Sequence, residues 1–166
     1  MAQDDPSSAP DDGILTLKRM FGAPREVVFE AWTDPTKFAS WHNFGEGTGC
    51  LIDRWDATPG GVYRFEIVTL VSLASEGGIF REMVRPERLV FTRRPDVGTP
   101  DIATGVVGHE TIVTSLLRAV AGRTELTLRH ERLHGQSERD ALGRWWSQLF
   151  DNLAKILDPD EAHRGT

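Results

Sequence analysis

Residues 130–134 read His-Glu-Arg-Leu-His, the H-E-x-x-H spacing that marks zinc sites when it lies on a helix. Histidines four apart then share one helical face and can grip one ion. Here the motif follows Glu125-Leu126-Thr127-Leu128-Arg129, whose alternation has the period of a strand, and precedes Gly135. Continued as a strand, four steps of about 3.3 Å set His130 and His134 about 13 Å apart. Two histidine–zinc bonds of about 2 Å cannot bridge that gap, so no metal is expected. On the same strand Leu126, Leu128 and His130 share a face, and the leucines mark it as internal. His130 is then either a core histidine with satisfied hydrogen bonds or a polar anchor in an apolar pocket. Glu82, in Phe80-Arg81-Glu82-Met83-Val84, is a second candidate for proton chemistry if its face is internal; exposure is the plainer reading.

Other chemical motifs are missing. Gly45-Glu46-Gly47-Thr48-Gly49 lacks the strand before it and the helix after it that a dinucleotide loop needs. Neither a G-x-S-x-G elbow nor a P-loop occurs, and no cofactor is expected. Arg93-Arg94 reads as a solvated face, because neither basic excess nor interleaved aromatics support a nucleic-acid partner. The single cysteine, Cys50, can form neither an internal disulfide nor a thiolate cluster, which suits a reducing cytoplasm.

These residues must be positioned by elements that the pattern outlines. Ile14 to Met20 alternate roughly as a strand. Ala23-Pro24 begins a short helix ending by Thr33, with Val27, Val28, Ala31 and Trp32 at helical spacing. Asp34-Pro35 begins a second, carrying Phe38 and Trp41 on one face. His42 to Gly49 reads as a loop. Alternating runs follow at Val62 to Leu73, Ile79 to Val84, Leu89 to Arg93, Gly108 to Leu117 and Glu125 to Leu133. Turn residues separate them, among them Ser75-Glu76-Gly77-Gly78, and such short connections call for antiparallel pairing. Ser137 and Asp140 resemble a capping box ahead of an apolar stripe from Leu142 to Leu157, which predicts a helix over about 138–157.

The 166 residues suit one domain, and 39% hydrophobic with 27% charged residues suits a packed core. The net charge of -6 sits in the ends. Residues 1–12 hold four aspartates and no base, residues 158–166 carry a net of -2, and residues 13–157 are left neutral. The expected division is an acidic disordered leader over 1–12, one domain over 13–158 and a disordered tail over 159–166. No apolar stretch approaches the roughly 20 residues that span a bilayer, and the leader lacks the basic and apolar regions of an export signal. Neither a membrane nor a nucleic acid is an expected partner.

The element order resembles the SRPBCC/START-related, Bet-v-1-like superfamily, and within it the homologues of the heat-shock-protein-90 ATPase activator. The resemblance rests on six pieces in order. They are Ala23 to Pro35 (APREVVFEAWTDP), Trp41, Pro59 to Phe65 (PGGVYRF), Pro86 to Thr92 (PERLVFT), Thr124 to His130 (TELTLRH), and Trp146 ahead of Phe150 and Leu153. Where the family often has two adjacent tryptophans and then a proline, this chain has Trp41-His42-Asn43-Phe44. The resemblance implies an α+β helix-grip fold: a curved antiparallel sheet wrapped around a long C-terminal helix, with two short helices between the first two strands.

The fold so implied puts Trp41, Phe44, Phe65, Phe91, Trp146 and Phe150 on or near the space between sheet and helix. They either fill it as core or wall a cavity for a small hydrophobic molecule, with His130 as its hydrogen-bond partner. Ligand binding is the first functional expectation, and it requires an open interior. A cyclase- or dehydratase-type activity on a polyketide-like substrate is the second, and it requires His130 and Glu82 to converge. A co-chaperone-type contact with a chaperone is the third, and it requires a large exposed apolar patch. The eukaryotic activator has a further N-terminal domain for which the twelve leader residues are no substitute.

Overall fold

The computed structural model describes residues 13–96 and 99–158, so the leader 1–12 and the tail 159–166 lie outside the described residues. Strand β1 (Leu15–Phe21) leads into helices α1 (Arg25–Thr33) and α2 (Pro35–Trp41). Six strands follow: β2 (Gly49–Trp55), β3 (Val62–Val68), β4 (Leu73–Val84), β5 (Arg88–Pro95), β6 (Thr111–Val120) and β7 (Arg123–Glu131). Helix α3 (Gln136–Leu157) comes last. All seven strands form one antiparallel sheet in the order β1-β7-β6-β5-β4-β3-β2. Because β1 and β2 occupy opposite edges, α1 and α2 carry the chain from one edge to the other. This is the α+β helix-grip arrangement.

Local chemistry accounts for the helix starts. The Pro24 carbonyl accepts from the amides of Val27 and Val28 at 3.1 Å, opening α1. At α2 the Asp34 carboxylate caps the Lys37 amide at 3.0 Å, and Pro35 takes a first-turn position where no amide hydrogen is needed. Helix α3 corrects the expected capping box. It starts at Gln136, its N-cap is Gly135 at φ 109°, and no side chain caps it. Glycine tolerates that angle without a Cβ clash. The inward stripe of α3 is Leu142, Trp146, Leu149, Phe150 and Leu153. It joins Val113, Leu117, Leu126 and Leu128 from the sheet in one core.

The expected turn at Ser75-Glu76-Gly77-Gly78 is also corrected. These residues lie inside β4, and the chain reverses instead at Thr69–Ser72, where Thr69 Oγ1 takes the Ser72 amide at 3.0 Å. The glycines are there for close approach rather than for turning. A Cβ on Gly77 would stand 2.6 Å from the Tyr63 carbonyl oxygen, and one on Gly78 would overlap the Thr92 carbonyl. A second irregularity follows in the same strand. Phe80 pairs with Phe91 but Glu82 pairs with Val90, so Arg81 is the extra residue of a β-bulge. Beyond it the inward side chain is Met83, and Glu82 faces solvent.

Candidate functional site

Strands β3, β4 and β5 present aromatic side chains inward by alternation: Tyr63 and Phe65, Phe80, and Phe91. With Trp32 and Phe38 from α1 and α2, Trp55 from β2, and Trp145 and Trp146 from α3, they line a chamber. Tyr63 and Phe80 lie 5.2 Å apart, Phe38 and Phe65 5.2 Å, and Trp32 and Trp146 5.8 Å, spacings at which rings pack against one another. The rings leave a cavity of about 10 Å³, at the lower limit for one water molecule. The open interior that a ligand requires is therefore closed here, with the lining rings, Trp32 and Trp146 among them, packed against one another.

Four ionisable groups, Arg93, Glu76, Asp101 and His42, are buried in or next to this lining. Arg93 sits at alternate spacing from Leu89 and Phe91, so it points inward and not, as expected, into solvent. Its fork takes both oxygens of Asp101, Nη1 to Oδ2 at 2.6 Å and Nη2 to Oδ1 at 3.1 Å. Its Nε lies 2.9 Å from Glu76 Oε2 without an aligned hydrogen bond. Burial pushes Glu76 up to about 7; Arg93 opposes this and Asp101 reinforces it. Burial acts the same way on Asp101. There the Arg93 charge, its hydrogen bonds and the amides of Ala103 and Thr104 outweigh it, and the carboxyl stays below its ordinary value. His42 lies on the same side, stacked on Phe38 at 3.7 Å. Its Nδ1 donates to the Phe38 carbonyl at 2.8 Å, and burial holds its pKa down at about 3.

His130 is fully buried. The indole Nε1 of Trp146, which can only donate, meets His130 Nδ1 at 3.0 Å. The neutral ring must therefore carry its proton on Nε2, which donates to Thr111 Oγ1 at 2.7 Å. Thr111 passes its own hydrogen to the Arg93 carbonyl at 3.3 Å. Burial, with Arg93 adding to it, lowers the His130 pKa to about 3. Both nitrogens are thus committed to protein partners, and His130 fixes the orientation of Trp146.

The sequence candidates divide among three places. Phe65, Phe91 and Trp146 stand in the chamber wall. Trp41 and Phe150 are buried in the core behind it. Trp41 donates from Nε1 to the Ala31 carbonyl at 2.9 Å, and Phe150 packs edge-on to Phe21 at 5.8 Å. Phe44 lies at the outside, stacked on Trp145 at 4.9 Å, and both are half-buried. Glu82 does not converge with His130. It pairs with Arg88 at 3.1 Å on the solvent face, where the bulge at Arg81 turns it. Sequence reasoning missed Glu76, Arg93, Asp101 and His42. The i, i+2, i+4 series Leu89, Phe91, Arg93 was a readable signal for Arg93; Glu76 was hidden by the glycine pair after it.

A family model described as Activator of Hsp90 ATPase homolog 1-like protein matches residues 22–158. Among solved structures, protein CV1439 from Chromobacterium violaceum is 27% identical, with a TM-score of 0.76 over 89% of this chain and 98% of that one. A Rhodobacter sphaeroides protein is 23% identical, with a TM-score of 0.71 over 90% of this chain and 95% of its own. A Staphylococcus epidermidis protein at 18% identity has a TM-score of 0.72 over 92% and 93%. The last two likenesses are of fold alone. No curated protein matches. No helix among the described residues is long and apolar enough to cross a membrane.

Proposed function

The chain belongs to the Activator of Hsp90 ATPase homolog 1-like family, and from that premise we propose that it binds a small hydrophobic molecule in the aromatic chamber. Phe65, Phe91 and Trp146 serve as walls, and the ligand's polar end faces Glu76 and Arg93. One observation carries this reading: Glu76 and Arg93 line the aromatic chamber, and their side chains, with that of Asp101 which grips Arg93, are all within 9% of complete burial. Apolar residues in their place would often be as stable or more so. Buried ionisable groups with displaced pKa values in a recess are where binding and chemistry concentrate.

Binding requires the chamber to enlarge, since pockets for such molecules run to about 300–1,000 Å³. The wall suited to move is Trp145 with Phe44 stacked on it, because both are only partly buried and Phe44 sits in the loop after α2. Asn152 fastens the start of that loop to α3 through the carbonyls of Trp41 and Asn43, each at 3.2 Å. A cyclase- or dehydratase-type role through His130 and Glu82 is disfavoured. One group has both nitrogens engaged inside, and the other is ion-paired outside.

Native mass spectrometry of gently purified protein tests the reading. A co-purifying small molecule whose retention drops in F65A and F91A supports it. Protein that carries no added mass and takes up none from a panel of neutral aromatic compounds contradicts it.

A further inference from the structure

The second histidine of the H-E-x-x-H spacing lies outside the chamber, in different company. His134 is exposed between β7 and α3, with its ring stacked on that of His109 at 3.5 Å and 4° between planes. His109, on the segment leading into β6, brings Nε2 to 2.9 Å from Glu138 Oε1 in the first turn of α3. One ligand atom from each of the three lies within 4.8 Å of the others. We propose that His109, His134 and Glu138 form a site for a divalent transition-metal ion, Zn²⁺ foremost.

The donor set selects the ion class. Two imidazoles and one carboxylate suit zinc and its neighbours, whereas calcium and magnesium take oxygen ligands. Bonds of about 2.1 Å in a tetrahedral site set ligand atoms about 3.4 Å apart. The ion therefore replaces the proton between His109 and Glu138 with a small separation. Glu138 is already oriented, because its Oε2 accepts the His134 amide at 3.3 Å and its Oε1 faces His109. The parallel rings cannot both hold an ion in plane, so His134 turns about its side-chain bonds, which an exposed side chain beside Gly135 can do.

Three protein ligands leave a fourth position open, and a cleft of about 400 Å³ adjoins it, lined in part by Thr104, Val107, Ser137 and Arg144. The ion would fasten the segment before β6 to α3. The same segment carries Asp101, which grips Arg93 on the inner side.

Calorimetric titration of the full chain with Zn²⁺ alone, and with Co²⁺ followed by visible absorption, tests the site. The expected result is one ion per chain, with affinity lowered at least about tenfold in H109A, H134A and E138Q. Circular dichroism checks that each variant is folded, and H134N serves if H134A is not. His163→Ala, outside the described residues, should leave binding unchanged. Absence of saturable Zn²⁺ binding overturns the proposal. So does an affinity that H109A and H134N leave within about twofold of the parent, since the ion then sits elsewhere.

Discussion

The two halves of the sheet bury different chemistry. Beneath α3, strands β6 and β7 contribute Val113, Leu117, Leu126 and Leu128, and their buried polar groups mostly have partners: His130 meets Trp146 and Thr111, and Thr124 donates to the Ala23 carbonyl at 2.7 Å. Strands β2 to β5 instead set the partly buried Trp55 and the buried Tyr63, Phe65, Phe80 and Phe91 around a glutamate whose oxygen has a charge neighbour but no aligned hydrogen bond. The first half pairs most of its buried polar groups. The second leaves buried charge imperfectly paired beside a partly buried wall, Trp145 with Phe44, and it is the half to which the proposed ligand is assigned.

The contrast can be broken most forcefully at Arg93. R93M leaves Glu76 and Asp101 buried without their cation and should cost about 3–5 kcal/mol in urea unfolding. E76Q, which keeps the Arg93–Asp101 fork, should stay within about 1 kcal/mol of the parent or exceed it near neutral pH. An equal loss in both variants would mean that the trio is a structural unit. In the aliphatic half, L128A should cost about 2–5 kcal/mol from lost burial and the cavity left behind. It should leave probe binding in the chamber unchanged.

Stability against pH sets Glu76 apart from the two buried histidines. His42 and His130 are held at about 3 in the folded state, so unfolding takes up protons between about pH 3 and their ordinary value of 6.5. Their contribution is lost as pH falls through that window. Glu76 works in the opposite direction. Its folded value of about 7 lies above its ordinary 4.5, so its contribution is present below pH 4.5 and lost as pH rises to 7. E76Q removes that opposition. Its stability relative to the parent should therefore improve steadily from pH 4.5 to 7, read from urea midpoints at several pH values. A flat difference would mean that Glu76 titrates normally.

Smaller effects sharpen the picture. W146F leaves His130 Nδ1 without its donor and should cost about 1–3 kcal/mol in urea unfolding. F44A should change stability by less than about 1 kcal/mol, yet raise acrylamide quenching of tryptophan fluorescence if Phe44 and Trp145 form the movable wall.

Much of this architecture was legible. Proline and aspartate at positions 24, 34 and 35 marked the helix starts, and the stripe from Leu142 to Leu157 marked α3, because short-range capping and periodicity act within a few residues. The chamber's aromatic members were partly legible through the resemblance. Glu76 was not, since Gly77-Gly78 has the composition of a turn and only the neighbouring carbonyls of Tyr63 and Thr92 explain it as close approach. Glu82 could not be oriented, because the bulge at Arg81 is fixed by register with β5. His134 and His109 fall opposite one another when the β6–β7 register is continued three residues past the Ile112–Glu131 pair, so the contact follows from hairpin register rather than from any motif spacing.

The central claim, that the aromatic half and not the aliphatic half receives a ligand, is tested most directly by two-dimensional amide NMR during titration with 2-naphthol. The account predicts saturable shifts concentrated at Trp55, Phe65, Glu76, Phe91 and Trp145, with Leu117, Leu126 and Leu128 unmoved. Shifts that fail to saturate, or that centre on β6 and β7, would contradict it.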